Sequence, residues 1–189
     1  MAWNKKIKFF VLYKTKGIII KKSNLGEFDQ LITVYTKEFG KILLKGKSVR
    51  KNQAKLKGHL ELFLNSCLMV APARGFDIIT GAETINSFSR LHNNLLSLFV
   101  SFYLSELIDK LIPESEKDNQ IWQLILCSFQ EINQKNNDIK IIINNFENRL
   151  LEFLGYGNKQ NNNLNFIQSI LNEKINSKHF LQKEFDLLL

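Results

Sequence analysis

Near Asn86 the hydrophobic period of this chain changes, and the change calls for two kinds of structure in series. From Phe9 to about Phe88, apolar residues come in short β-rich runs broken by turn residues, as strands require. The runs are Val11–Lys22, Gln30–Thr36, Lys41–Leu44, His59–Ala71 and Phe76–Thr84, with turns expected at Asn24–Gly26, Phe39–Gly40 and Pro72–Gly75. Beyond Asn86, the residues Phe88, Leu91, Leu95, Phe99, Phe102, Leu107 and Leu111 recur mostly at three- and four-residue steps. That is the spacing of a buried helix, and Pro113 stops it. Further helices are expected at Asn119–Asn133, Ile139–Leu154 (with Gly155 as C-cap), Leu164–Ile175 and His179–Leu188, with Asn158–Asn163 as a polar bridge. Five strands with one long connection, Lys45–Gly58, suggest a small barrel of the OB type. The expected fold class is α+β in two parts: an N-terminal OB-type β-barrel over residues 1–85, then an all-α helical domain over 86–189.

Charge divides in a similar place. Residues 1–59 hold 15 Lys or Arg against Glu27, Asp29 and Glu38, a net of +12; the whole chain is +8, so the remainder is −4. Such asymmetry points to a polyanion-binding part followed by a near-neutral one. The chain has 22 Lys and 4 Arg and is rich in Asn and Ile, as an AT-rich genome would produce, but codon bias would not gather the excess at one end. The run KGKSVRKNQAKLK from Lys45 to Lys57 contains no acid and lies between two predicted strands. Long cationic side chains in such a loop can follow a phosphate backbone and release its counterions. The candidate contacts are Lys14, Lys16, Lys21, Lys22, Lys37, Lys41, Lys45, Lys47, Arg50, Lys51, Lys55 and Lys57. A solvated lysine-rich loop is the competing reading. Tyr13, Phe28, Tyr35 and Phe39 are candidates for stacking on bases, with barrel core as the stronger alternative for each. Glu27 and Asp29 would repel phosphate, so they are expected to hold the hairpin after Gly26 or to pair with nearby lysines.

Bond-making chemistry is not visible. His59, His92 and His179 have no carboxylate or cysteine at ligand or triad spacing, and no phosphate loop, dinucleotide fingerprint or nucleophile elbow occurs. Glu114 and Glu116 follow Pro113 in a loop and read as solvated surface. Cys67 and Cys127 stand far apart, which supports neither a zinc ribbon nor a disulfide framework. No metal, no cofactor and no enzymatic activity are expected, in a reduced cytoplasmic protein. The basic start (Lys5, Lys6, Lys8) precedes an apolar run, Phe9–Tyr13, too short for a signal sequence. Leu95–Leu104 is roughly half of the ~20 residues a membrane span needs, so it reads as a buried helix.

A family pattern runs along these segments. TKGIIIKKSNLGEFDQLITVYTKEFGK, Thr15 to Lys41, resembles the opening of the bacterial recombination mediator RecO family. The resemblance rests on Gly17–Ile20, Gly26/Glu27/Asp29, Leu31–Thr33 and Thr36/Gly40/Lys41, followed by Lys45–Gly46 at the start of the basic loop. Phe99–Glu114 resembles the family's first long helix, Phe146–Tyr156 a later one, and Ile175–Leu181 its C-terminal tract. Two departures stand out. Many members carry a four-cysteine zinc module where this chain has only Gly157–Asn163, and Met1–Phe10 has no clear family counterpart. The resemblance implies an OB barrel joined to a helical domain that binds and anneals single- and double-stranded DNA. It also implies contact with single-strand binding protein and with RecR, which together let RecA load onto gapped DNA, in a cytoplasmic, nucleoid-associated protein. For the acidic, Phe-ending tail of single-strand binding protein the candidate contacts are Arg149 and Trp122; an ion pair with Glu152 or Glu147 and a core anchor are their alternatives. An RNA-binding OB protein associated with translation or RNA metabolism is the alternative reading of the basic barrel.

Overall fold

A computed structural model describes residues 11–135, 138–157 and 163–177. Five strands, β1 (Tyr13–Leu25), β2 (Asp29–Thr36), β3 (Gly40–Gly46), β4 (Asn65–Ala71) and β5 (Asp77–Asn86), close a barrel in the order β1-β2-β3-β5-β4. All pairings are antiparallel except β3 with β5. Among the described residues five helices follow: α1 (Ser89–Asn93), α2 (Leu95–Leu111), α3 (Asn119–Ile132), α4 (Ile139–Phe153) and α5 (Asn163–Leu171). The OB-like barrel followed by helices is thus present. The helix expected at His179–Leu188 and the segment Met1–Phe10 lie outside the described residues, as does most of the Asn158–Asn163 bridge.

The barrel closes because β1 serves two neighbours. Its first half pairs with β4, from Tyr13 opposite Val70 to Ile18 opposite Asn65, and its second half with β2, with an irregularity between Ile19 and Lys21. Gly17 and Ile18 are where both pairings overlap. A Cβ at Gly17 would come within 2.4 Å of Val34 Cγ1, so the strand crosses closely only without a side chain. The three aliphatics after Gly17 serve two cores. Ile19 points into the barrel with Ile32, Val34, Leu44, Leu68 and Val70. Ile18 and Ile20 point outward and join Tyr35 and Phe63 in a second core built mostly from the helices. A continuous apolar run is what a strand buried on both faces requires.

Several boundaries differ from the sequence expectation. The turns occupy residues 26–28 and 37–39, displaced by one or two positions. The expected strand His59–Ala71 begins only at Asn65. Before it, a 3-10 turn (Lys57–His59) and an irregular stretch place Leu60 in the barrel core and Phe63 in the helical one. Phe63 has φ of 66°, incompatible with a strand, while its amide still donates to Ile19 O at 2.7 Å. The long helix from Phe88 is broken at Asn94, whose extended backbone and side chain, accepting from Ser97 N at 2.8 Å, cap α2. Asp118 and Asp138 cap α3 and α4 in the same way. Ile112, just before Pro113, is extended and ends α2.

Barrel and helices are locked at one junction. Thr36 Oγ1 donates to Gly40 O at 2.9 Å and accepts from Phe39 N at 3.1 Å, which tightens the β2–β3 turn. That turn packs on the loop after α2: Ser115 N donates to Lys41 O at 2.8 Å, and Lys41 bridges to Glu114.

Candidate nucleic-acid interface

The twelve basic residues selected from the sequence fall into distinct environments. Lys41 is 6% exposed, and its ammonium donates to the Asp109 main-chain carbonyl on α2. Burial pushes its pKa below the ordinary lysine value, against the opposing pull of the Asp109 and Glu114 carboxylates. Lys41 therefore braces the junction and is turned away from any phosphate. Lys21 pairs with the Asp109 carboxylate at 2.6 Å, Lys22 with Glu61 at 2.8 Å and Lys45 with Asp29 at 2.7 Å. These three keep some exposure but are partly neutralised.

The remaining lysines are exposed, and among the described residues none pairs with a carboxylate. They form two groups. Lys14 and Lys16 lie on the part of β1 that pairs with β4, and Lys37 joins them through its amide, which donates to Lys16 O at 2.9 Å. Lys47, Lys51, Lys55 and Lys57 stand on the connection between β3 and β4.

That connection is held in place at its start. Asp29 Oδ1 accepts from Ser48 N at 2.7 Å, and Arg50 N donates to Phe28 O at 3.0 Å. The Arg50 guanidinium donates to Glu27 O at 2.8 Å and Gly26 O at 3.1 Å, and the Lys51 ammonium sits 4.9 Å from the centre of the exposed Phe28 ring. The loop's first residues thus fold back onto the β1–β2 turn, and the exposed lysines project from an anchored base. The two acids of that turn separate in role. Asp29 is the anchor; Glu27 lends only its carbonyl, and its exposed carboxylate makes no hydrogen bond among the described residues.

Lys45 and then the Ser48 amide hold the Asp29 carboxyl below the usual carboxylate range. A depressed folded-state pKa contributes stability that is present above the ordinary value and lost as pH falls through the depressed one. The Ser48 amide proton resonance should therefore titrate in acid, below the ordinary Asp range. Asp29→Asn should abolish that titration, loosen the base of the loop at neutral pH and lower the melting temperature. A resonance that ignores both acid and substitution would remove Asp29 from this role.

The aromatic candidates also divide. Tyr35 is wholly buried in the core shared with the helices. Phe28 and Phe39 are each 41% exposed. Tyr13 is half-buried, donating to Asp77 Oδ2 at 2.9 Å and meeting Phe39 edge-on with ring centres 4.9 Å apart. Sequence reasoning passed over Arg74 and Phe76, both exposed on the β4–β5 connection. Asp77 ties that connection to Tyr13, and Phe76 and Tyr13 line one shallow depression. The only signal for them was position, since this connection is one of the two ligand-binding loops of OB barrels.

On the helical side, Trp122 and Arg149 are not brought together. Trp122 is 4% exposed and lies in the core stripe of α3 with Ile121, Ile125 and Phe129. It offers no surface to a partner, because that stripe is the face by which α3 packs. Arg149 stands exposed on α4 beside a groove of about 490 Å³ lined by Leu124, Cys127, Phe146 and Phe153. Among the described residues, no group of three His, Cys, Asp or Glu is placed to hold a metal ion, and no helix is long and apolar enough to cross a membrane.

Comparison with known proteins covers both halves. Residues 10–88 match the family described as recombination protein O, N-terminal, and residues 92–174 match its C-terminal counterpart. Similar chains include the DNA repair protein RecO of Dehalococcoides mccartyi, 36% identical over 144 residues, covering 76% of this chain and 56% of that one. RecO of Roseiflexus sp. is 32% identical over 145 residues, covering 77% of this chain and 50% of its own. RecO of Clostridium kluyveri is 29% identical over 178 residues, covering 94% and 67%. The alignments with the first two take in about half of those relatives' length. Matched in order by both family halves and built as the barrel and helices their descriptions divide, the chain belongs to the recombination protein O family.

Proposed function

We propose that this protein is a non-enzymatic DNA-binding mediator of recombinational gap repair. In this reading it binds and anneals DNA and, with RecR, helps RecA replace single-strand binding protein. The observation that carries it is the anchored basic connection, with Lys47, Lys51, Lys55 and Lys57 exposed and, among the described residues, without a carboxylate partner. Phosphates along a strand supply what those ammoniums lack, and the exposed Phe28 at the base of the loop offers a face to a base. A cytoplasmic site of action at the nucleoid follows from this role.

The test is strand annealing. Purified protein should accelerate pairing of complementary strands coated with single-strand binding protein, and single-stranded DNA should outcompete structured RNA for it. Tighter binding of structured RNA, with no annealing, would favour the RNA-metabolism alternative.

For the acidic, Phe-ending tail of single-strand binding protein, the groove beside Arg149 sets one cation near the apolar Leu124, Phe146 and Phe153, in a lining that also holds several amides and the Glu131 carboxylate. A charge-assisted hydrogen bond to a carboxylate contributes enough that its loss weakens binding by about tenfold or more. Arg149→Glu should do so for the tail peptide while sparing naked-DNA binding. Unchanged peptide affinity, or parallel loss of both activities, would take the tail away from this groove.

A further inference from the structure

An oligonucleotide on an OB barrel ordinarily crosses the outer face of β2 and β3. In this chain that route is roofed toward the β2–β3 turn. Tyr35 faces out of the barrel yet is wholly buried, and its hydroxyl donates to Asp118 O at 3.5 Å. Lys41, its partner in register on β3, is 6% exposed, and its carbonyl accepts from Ser115 N. A Cβ added at Gly40 would lie 2.0 Å from Glu116 O. Residues 114–118 therefore occupy the path that a strand crossing the hairpin would need.

The two ends of the hairpin stay open, and each presents exposed cations beside an exposed aromatic ring. One end carries the basic loop and Phe28. The other lies the length of β2 away, roughly 25 Å for eight residues of strand. There Phe39 and Phe76 are 41% and 43% exposed. Phe39 meets Tyr13 edge-on, and Phe76 shares with Tyr13 a depression of about 290 Å³, room for one base. Lys14 and Lys16 on β1, Lys37 on the turn before Phe39 and Arg74 on the connection before Phe76 are all exposed. Among the described residues none of these four has a carboxylate partner.

The acids of this end leave those cations to a partner. The Glu38 carboxylate accepts from Thr15 Oγ1 at 2.6 Å and from Lys16 N at 3.1 Å. That of Asp77 accepts from the Tyr13 hydroxyl at 2.9 Å and from Ala73 N at 3.1 Å. Glu114 also lines the depression, and its carboxylate, which makes no hydrogen bond among the described residues, can accept from the amino group of a base. Resting on the DNA-binding reading above, we propose that this end of the barrel is a second, separate site for single-stranded nucleic acid. A base stacks on Phe39 or Phe76 while phosphates meet Lys14, Lys16, Lys37 and Arg74. The chain thus holds two strands at once, one at each end of the barrel, with the roof of residues 114–118 between them on the hairpin face.

The test uses the full chain and an oligocytidylate of about eight nucleotides, within the span an OB barrel covers, carrying photoreactive iodocytosine. Illumination followed by mass spectrometry should find two sets of adducts, one at Phe28 and the basic loop, the other at Tyr13, Phe39 or Phe76. Titration at low salt should find two strands bound per chain. Phe39→Ala with Phe76→Ala should remove the second set, leave one strand per chain and slow the annealing of complementary strands about tenfold. Uptake of a single strand by the parent chain, with adducts at one end or at both, would overturn the second site. Adducts at the loop alone would do so while the DNA-binding reading stands, whereas no adducts and no binding would remove both. If the double variant fails to fold, Lys37→Glu with Arg74→Glu changes only exposed side chains and should lose the same strand. Two strands still bound by that variant would equally overturn the assignment.

Discussion

Replacing Lys47, Lys55 and Lys57 together by Glu should flatten the salt dependence of single-strand binding, cutting the log–log slope by about 2, or about 0.7 per lost phosphate contact. Losing counterion release of that size makes the variant's deficit relative to the parent roughly a hundredfold larger at 0.1 M salt than at 1 M. The three were chosen because they are exposed and, among the described residues, unpaired, so each is free to neutralise a phosphate and none is needed to hold the loop. The loop's anchor is left intact: Asp29 still accepts from Ser48 N, and Arg50 still grips the β1–β2 turn. Thermal stability should accordingly stay near that of the parent chain. Lys41→Met supplies the opposite control. It removes a cation that is buried against Asp109, so it should lower the melting temperature and leave the salt slope alone. Equal slopes for the triple variant and the parent would rule this loop out as the phosphate contact, whatever the family does elsewhere.

The contrast between those variants marks where the sequence could be read and where it could not. The five strands in succession and the switch to helices near Asn86 were legible because hydrophobic period and turn residues are local signals. The excess of charge at one end was legible for the same reason. Which lysines remain free was not, because that depends on residues far along the chain. Asp109 lies 88 residues from Lys21, and Glu61 lies 39 from Lys22. Composition treats all twelve cations alike, whereas folding assigns Lys21, Lys22, Lys41, Lys45 and Arg50 to carboxylates or carbonyls, sets Lys51 over Phe28 and leaves the others in water. Trp122 illustrates the same limit. A lone tryptophan on an amphipathic helix can face a partner or the core, and only the packing of α3 decides for the core. The missed break at Asn94 and the early end of the expected strand at His59 have a different origin. There, the apolar spacing was read but the backbone geometry was not, since an Asn cap and a positive φ at Phe63 satisfy apolar residues without continuing the ladder or the helix; Leu95 and Phe102 of the expected buried series are exposed.

Gly40→Ala should be among the most damaging single substitutions in the barrel, costing about 3–5 kcal/mol, enough to lower the melting temperature by on the order of 10 °C. Two penalties add at this position. The backbone has φ of 66°, a left-handed conformation that costs an L-residue about 1–2 kcal/mol. The new Cβ would also lie 2.0 Å from Glu116 O and 2.5 Å from its carbonyl carbon, which are main-chain atoms and cannot rotate aside. The loop after α2 would have to retreat, pulling Ser115 N from Lys41 O and disturbing the seat of the Lys41 ammonium at Asp109. Gly26 isolates the two terms, because it shares the φ of 66° but has nothing within 4 Å of an added Cβ. Gly26→Ala should therefore show the conformational cost alone, about 1–2 kcal/mol. Chemical denaturation of the two variants side by side measures the difference. It also bears on what the Thr36–Gly40–Lys41 pattern is for: a large gap assigns it to docking the barrel on the helices. Equal losses at the two glycines would mean that the junction yields easily, and the close approach of Gly40 to Glu116 would then not be what the pattern preserves.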